Sequence, residues 1–495
     1  MPVRLLLSRI GACLALLLAG CAVGPDFARP GAPAADRYTA EPTPTQTASA
    51  DTAVGAAQHF LPDRDIPGEW WQLFHSPALD ALVREAMAHN PDLAAAQAAL
   101  RQARETRLAG ETAFFPLAQA NFSGTRNKTA TATLSPATAT GNPYYSLYTP
   151  QVTVSYTPDV FGGTRRQVEA LLAQEDVQRF QLEATYLTLT SNLVAAAVQE
   201  AALRGQIAAN NDIVKAETEA LAIFRKQLAL GNIAGADVAA QEAALAQAQA
   251  ALPPLQKQLA QQRNLIAALI GHPPSAPPDA EFDLASLQLP QDLPLSLPSR
   301  LVDQRPDIRS AEAQLHAASA QIGVAIANML PQITLSADAG TAATTLSRLF
   351  VPGTGFWTLG GSAAQTIFDA GALLHKKRAA DAAFDQAAAQ YRSTVLTAFQ
   401  NVADTLRALQ ADADALRTNA AAEHAAAESL TIARRQLQLG AINYLGLLTA
   451  EQTEQQARIA LVQAQAARYA DTVALFQALG GGWWNRADPA ASSAS

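Results

Sequence analysis

Cysteine is nearly absent from this chain: two in 495 residues, at Cys13 and Cys21. Methionine is almost as rare, three with the initiator counted, so there is no relay of thioethers to hand on a soft cation. The seven histidines never stand three or four apart, which removes the usual helical metal-ligand spacing. Glycines do cluster in "PGTGFWTLGG" (352–361), but that stretch reads as part of a hairpin and not as a strand-to-helix phosphate loop. Past residue 20 no run approaches eighteen apolar residues, so no transmembrane helix is expected. Aromatics make up only 6% and the net charge is −8, which argues against nucleic acid as a partner. Alanine is abundant, a composition suited to long, closely packed helices.

The two cysteines sit in a leader. Arg4 and Arg9 open it, "LALLLAG" supplies a short apolar core, and small residues precede Cys21. Residues 1–20 read as a signal peptide, whose loss takes the net charge from −8 to about −10 as both arginines leave. Leu18-Ala19-Gly20-Cys21 matches the bacterial lipobox, in which the cysteine receives S-diacylglycerol and an N-acyl chain; the alternative is an ordinary secretory signal with an incidental cysteine. One acyl chain holds a membrane only reversibly, at about 0.8 kcal/mol per buried CH₂, whereas several hold firmly. With Cys13 removed, no internal disulfide can form. Ala22 stands where an inner-membrane retention signal would place Asp, which points to the outer membrane, facing the periplasm. Residues 21–66, rich in Pro, Ala and Thr, are expected to be a lipidated extended tether, and 485–495 a disordered tail.

The chain repeats itself on either side of a proline-rich connector (272–298). "NPDLAAAQAALRQA" from Asn90 lies over "RPDIRSAEAQLHAA" from Arg305, an offset of 215 that also pairs Pro116 with Pro331. "LAIFRKQLALGNI" from Leu221 lies over "LTIARRQLQLGAI" from Leu430 at an offset of 209, which also pairs Leu187 with Leu396 and Asn192 with Asn401. The length difference therefore falls in one local insert between Pro116 and Gly162. An internal tandem duplication is expected, with a first repeat over 67–271 and a second over 299–484.

Each repeat carries one hairpin of period-two alternation, at about 114–160 and about 331–368. Tyr148, Pro150, Val152, Val154 and Tyr156 oppose Gln151, Thr153, Ser155, Thr157 and Asp159; Ile333, Leu335 and Ala337 oppose Gln332, Thr334, Ser336 and Asp338. A half-buried soluble sheet would carry more Lys and Glu on its polar side. A face of Gln, Thr, Ser and Asn suits the lumen of an outer-membrane barrel. From about Gly163 to Leu230 and from about Ala372 to Leu439 no proline interrupts the chain, and roughly 65 residues at 1.5 Å reach about 100 Å. Leu396, Phe399, Val402, Leu406, Leu409 and Leu416 read as a coiled-coil seam. "LALGNIAGADV" and "LQLGAINYLGLL" read as turns where each long helix reverses.

Four strands cannot close a barrel, and an open sheet edge cannot face lipid. Two copies would give eight strands and a filled interior; three would give twelve and an aqueous lumen. The expected fold is thus an α+β membrane protein: a trimeric, twelve-stranded outer-membrane β-barrel, four strands per chain, continued by a long periplasmic α-helical barrel of coiled coils.

"WWQLFHSPALDALVREAMAHNPDLAAAQAALRQA" resembles the opening of the TolC-like outer-membrane efflux channels, in their lipoprotein (NodT-type) branch. "PSRLVDQRPDIRSAEAQLHAASAQIGVAIANMLPQITL" resembles the start of that family's second repeat, "LGAINYLGLLTAEQ" its second helical tip and "LGGGW" its close, so the resemblance spans roughly 65–484. It implies a homotrimer, a periplasmic adaptor, an inner-membrane pump of the proton-driven resistance–nodulation–division type, no catalysis, and no cofactor besides the lipid on Cys21. The chain would be a passive, gated exit duct for small molecules, with export of metal ions still open because a wide lumen need not bind its cargo. Alternatives are the exit duct of a type I protein or peptide secretion system, or a structural lipoprotein without a pore. In relatives a "YLTLLDAQR"-like segment lines the closed tip. Tyr444 and Leu445 match it, but the Asp falls on Thr449 and the Arg on Gln452, which departs from an Asp–Arg latch. A ring of Leu445 side chains that dewets the aperture is expected instead, with plain helix packing as its alternative. Asp237 matches a recurring family acid, or else caps the helix near Gly235. Trp70-Trp71 and Trp483-Trp484 are expected to pack internally more than to anchor at an interface. Arg165-Arg166 and Lys376-Lys377-Arg378 are either headgroup contacts or solvated charge.

Overall fold

The computed structural model describes residues 22–31, 33, 35–62, 64–128, 130 and 143–486. The expected leader, Cys21, most of the Thr/Ala/Ser hairpin loop, and 487–495 of the expected tail lie outside the described residues. In chain order come β1 (His59–Pro62), α1 (Pro77–His89), α2 (Pro91–Glu111), β2 (Leu117–Lys128), β3 (Tyr144–Tyr156), α3 (Gly163–Ala229) and α4 (Gly235–Leu269). They are followed by β4 (Asp292–Leu295), α5 (Pro298–Gln304), α6 (Pro306–Ala327), β5 (Gln332–Thr341), β6 (Gly355–Ala364), α7 (Ala372–Gln438) and α8 (Tyr444–Ala478). The chain forms two compact units. One holds the chain up to Arg29 with Leu100–Val177 and Ala311–Tyr391; the other holds Pro30–Ala99, Gln178–Ser310 and the chain from Arg392.

The first unit carries an antiparallel sheet in the order β2-β3-β5-β6. Its register turns the sequence alternation into rows. Ala118, Val154, Ala337 and Leu359 stand side by side across the four strands, and so do Ala120, Val152, Ala339 and Trp357. The row between them is Gln119, Thr153, Asp338 and Thr358, where the Thr153 hydroxyl donates to Asp338 Oδ1 at 2.6 Å. One face is therefore apolar and the other polar, as a pleat of period two requires. Among the described residues nothing covers the apolar face: Phe122 is 63% exposed, Leu359 72% and Trp357 74%. Nor, among those residues, does any strand lie beside the outer edges of β2 and β6.

In the second unit the chain doubles back on itself twice. Two residues past the last residue of α3 stands Gly231 (φ 74°), and two past that of α7 stands Gly440 (φ 72°). In each, the glycine N–H bonds the carbonyl three residues back and the next N–H the carbonyl five back: Gly231 to Leu228 and Asn232 to Gln227, Gly440 to Leu437 and Ala441 to Gln436. That pair of bonds is a Schellman cap, whose left-handed residue favours glycine. Beyond each cap a second helix returns: Phe224 and Leu221 of α3 pack on Val238 of α4, and Leu430 and Ala433 of α7 on Leu447 of α8. The corresponding helices have equal lengths, 67 residues for α3 and α7 and 35 for α4 and α8. Their caps fall at the same offset of 209 that aligned the sequences.

The seam of α7 is shifted from the expected one. Val402, Leu406, Leu409 and Leu416 are fully buried, but Leu396 is 69% exposed. Val395 and Ala398 are buried in its place, so the contact stripe continues backward through 398 and 395 in the 3–4 spacing. The tryptophans pack internally: Trp70 stacks on Phe476 with centroids 5.1 Å apart, and Trp483 Nε1 donates to Gln304 O at 2.7 Å.

The expected tether departs furthest from its sequence reading. β1 pairs in parallel with β4, so the tether and the proline-rich connector each supply one strand of a small sheet. Arg468 of α8, only 1% exposed, gathers this segment with its guanidinium: Nη1 donates to Val54 O at 2.6 Å, and Nη2 to Ala56 O and Gln58 Oε1, both at 3.1 Å. Gln58 in turn donates to Pro290 O and Thr472 Oγ1, both at 2.9 Å. Backbone carbonyls that the irregular chain leaves without partners are thus satisfied by one buried cation. The expected tail also starts bound, with Asn485 Nδ2 on Ile66 O at 2.8 Å and Arg486 on Glu183 at 2.6 Å. Arg468→Ala should destabilise this unit by about 3 kcal/mol, the cost of orphaning buried acceptors, and should speed proteolysis within residues 45–58. A urea melt unchanged from wild type would show that the segment is held by something else.

Candidate functional site

Two places gather the residues that the sequence singled out, the helical tips and the segment that follows Cys21. At the first tip Asp237 is the third residue of α4, and its Oδ2 accepts the Ala234 N–H at 3.0 Å. It is a cap, placed where a carboxylate also meets the positive end of the helix dipole. At the second tip Asn443 caps α8 by accepting the Gly446 N–H at 3.1 Å. The next residue, Tyr444, turns away from its own hairpin. Its ring lies edge-on to Phe224 of α3 with centroids 3.8 Å apart, in the cluster formed with Leu221 and Val238. Burial, and then the charge of Asp237, hold its hydroxyl above the usual tyrosine range. Tyr444 and Asp237 are therefore brought together as a link between the two hairpins.

Leu445, Thr449 and Gln452 point the other way. They stand at spacings of four and three on α8 and all three are exposed, Leu445 by 67%. The Thr449 hydroxyl is turned back onto Leu445 O at 2.9 Å, so its proton is committed within its own helix. The face offered outward is thus apolar at its end and neutral behind, with no carboxylate or guanidinium from these positions.

A buried polar cluster behind this face was missed by sequence reasoning. Glu217 (3% exposed), Gln241 (0%) and Glu451 (7%) meet there with Gln455 and Arg434. A signal was present: Ile213, Glu217, Leu221 and Phe224 form one buried stripe at helical spacing, with an acid in its second place.

Cys21 lies outside the described residues, but the chain just after it is firmly placed on the first unit. Val23 N donates to Phe161 O at 3.0 Å; Phe27 stacks on His316 at 4.3 Å; Arg29 pairs with Glu312 at 2.9 Å. Arg166 is the clamp. Its Nε donates to Val23 O at 3.2 Å and its Nη2 to Asp26 Oδ1 at 2.6 Å. At 5% exposure it is neither solvated charge nor a headgroup contact, which corrects the sequence reading. Asp159 caps the start of α3 by accepting the Thr164 and Arg165 N–H groups at 2.9 and 2.8 Å, with the Arg165 guanidinium 3.5 Å from the same carboxylate, and Lys377 pairs with Asp381 at 2.7 Å. Glycines make room for this strap: a Cβ on Gly162 (φ 79°) would come within 2.5 Å of Ala22 Cα, and one on Gly24 would collide with Gly323. Among the described residues no group of three metal-ligating side chains forms, and no helix is long and apolar enough to cross a membrane.

An amphipathic four-stranded sheet with open edges, joined in one chain to two long helical hairpins, defines a class: subunits of outer-membrane channels. The outer membrane efflux protein family model matches residues 82–272 and 297–481. The chain is 30% identical over 489 residues to the toluene efflux pump outer membrane protein TtgC of Pseudomonas putida, covering 98% of this chain and 97% of that one. It is 29% identical over 480 residues to the cation efflux system protein CusC of Escherichia coli, covering 95% and 98%. Among solved structures the outer-membrane channel OprN superposes with a TM-score of 0.83 at 28% identity, over 94% of this chain and all of the other. The chain belongs to the outer membrane efflux protein family. It is an outer-membrane component of an efflux system, as its sequence resemblance implied.

The strap gives a direct test. In the purified protein, chymotrypsin should cut slowly after Phe27, whose ring is stacked on His316. Arg166→Ala should release that site and increase the cleavage rate by about tenfold, the loss of roughly 1.4 kcal/mol of local protection. An unchanged peptide pattern by mass spectrometry would leave Arg166 without this role.

Proposed function

We propose that three copies of this chain close a twelve-stranded barrel in the outer membrane and that their helical hairpins continue it as a tube across the periplasm. The observation that carries this reading is the pair of unpaired edges on a sheet whose apolar rows are uncovered. In lipid each unpaired amide costs several kcal/mol, so β6 of one copy must meet β2 of the next. The two run in opposite directions when the alternating order is continued around a ring, so the closed sheet stays antiparallel throughout. That pairing would set Ile367 and Phe368, 95% and 88% exposed just after β6, beside Phe115 and Leu117, 70% and 55% exposed at the start of β2. Three copies are favoured over two because eight strands leave an interior filled by side chains. The equal helix lengths and matching caps of the two halves support a tandem duplication, which gives a trimer six similar hairpins around its tube.

The tube performs no reaction and needs no cofactor. Acyl chains on Cys21 anchor the mature chain, and a periplasmic adaptor and an inner-membrane pump of the resistance–nodulation–division type supply cargo and energy. One relative is named for toluene and another for cations. A common architecture among relatives named for such different cargo supports a choice of substrate made in the pump. At rest the tip must close, and the exposed Leu445 residues of three chains form the narrow apolar ring that excludes water. Tyr444 and Asp237 tie the α7–α8 hairpin to the α3–α4 hairpin, while Thr449 and Gln452 line the neutral wall behind the ring.

The experiment is reconstitution of the full-length, lipidated protein. A heat-modifiable trimer in detergent that conducts in planar bilayers supports the reading, and a particle of one chain's mass overturns it. In the same bilayers Leu445→Ala should be open at least about tenfold more often than wild type, since removing the ring removes the dewetted segment. Unchanged closed-state occupancy would reject the ring and leave the trimer standing.

A further inference from the structure

The polar cluster behind the second tip contains two buried oxygens that have no hydrogen-bond donor among the described residues. Four helices contribute to it: Glu217 from α3, Gln241 from α4, Arg434 from α7, and Glu451 with Gln455 from α8. Glu217 has its donors, because Gln241 Nε2 bonds its Oε2 and Gln455 Nε2 its Oε1 at 2.8 Å. Glu451 does not. Its Oε1 stands 3.6 Å from Arg434 Nη2, beyond a hydrogen bond, on an arginine that is itself half exposed. Its Oε2 is closed off from water with no partner, and so is Gln241 Oε1. Two buried acceptors without a donor among the described residues, in a cluster where the donors to Glu217 are already committed, make an arrangement that lacks a donor. A protonated carboxyl at Glu451 supplies it, since protonation turns one of its oxygens into a donor.

We propose that Glu451 is a proton-operated strut: protonated, it ties the α7–α8 hairpin to the α3–α4 hairpin at the tip, and ionised, it repels Glu217 and lets the two hairpins part. This rests on the reading of these tips as the closing end of the tube. Burial first, and then the charge of Glu217, push the Glu451 carboxyl up to about 7; Glu454 pushes the same way and Arg434 pulls against them, while α4 presents the neutral Gln241. The sign follows. A carboxyl raised from its ordinary value of 4.5 stabilises the closed packing fully below that pH. That stabilisation is lost as pH rises through 7, and above 7 the loss is complete. Each pH unit in this window is worth up to tenfold in the opening equilibrium, so acid shuts the tip and neutral to mildly alkaline periplasm loosens it. A second acid, the half-buried Asp412 of α7, is also pushed up, by burial and by its neighbour Asp471, away from the tip caps, and provides the control.

The test uses the full-length protein in planar bilayers between pH 5 and 8. Wild type should open at least about tenfold more often at pH 8 than at pH 5. Glu451→Gln, which fixes the uncharged form, should stay at the acid level throughout, and Asp412→Asn should keep the wild-type dependence. Thermal melts guard against misfolding: Glu451→Gln should match wild type at pH 5 and exceed it at pH 8. A pH dependence that survives Glu451→Gln, or a wild type that does not respond to pH, overturns the strut while the conduit stands. Absence of channels from every variant overturns the conduit and the strut together.

Discussion

An amide that leaves water for hydrocarbon must find a partner, and among the described residues the twelve of β2 and the ten of β6 each present one edge with none. Most of what is unusual about the protein follows from that requirement. The strands alternate strictly because one face meets lipid and the other water, so the rows run Ala-Val-Ala-Leu and Ala-Val-Ala-Trp against Gln-Thr-Asp-Thr. On the proposed trimer, four strands suffice because other copies would supply the remaining partners. A soluble sheet of this size would cover its apolar face with a helix; here Trp357 and Leu359 are left bare.

The helical parts answer a different constraint. Hairpins this long must hold straight contact over many turns, and the α7 stripe does so with Val395, Ala398, Val402, Leu406, Leu409 and Leu416, small and large residues mixed along one face. Such seams say little about which helix lies beside which. That discrimination falls to polar side chains placed among them: Asn210 Nδ2 on Ala248 O at 2.9 Å, Gln262 Nε2 on Ala196 O at 3.0 Å, and Gln455 on Glu217. Each fixes a longitudinal register that apolar contact alone would let slide.

Local regularities were legible in the sequence and single long-range contacts were not. Strand alternation, the proline-free spans, and the glycines at 231 and 440 are each set by residues within a few positions, and the long helices end within a residue or two of where those signals place them. Leu396 was misplaced because a seam of period 3.5 admits neighbouring solutions, and packing chose Val395 and Ala398. The N-terminal segment was misread for a stronger reason. Its composition is that of a free linker, and its order comes from Arg468, whose partners are backbone carbonyls more than 400 residues earlier in the chain. Arg166 belongs to the same group, since nothing near it in sequence announces Val23 and Asp26. At the tip, the sequence located Leu445, Tyr444 and Asp237, and only the fold distinguished the exposed face from the inter-hairpin link.

On the proposed function the closed state of the duct needs to be stable by only a modest margin, and two kinds of contact at the tip would divide that work. Apolar contact between Tyr444 and Phe224 is insensitive to conditions and sets a constant attraction between the hairpins. A hydrophobic pair in place of Glu451 and Glu217 would make the tip more stable, as replacing buried charge generally does, but it would also make it indifferent to its surroundings. A buried acid with an unsatisfied oxygen is a costly way to fill space. Its cost is a variable one, set by a single proton, and variability of that kind is what distinguishes a gate from a plug.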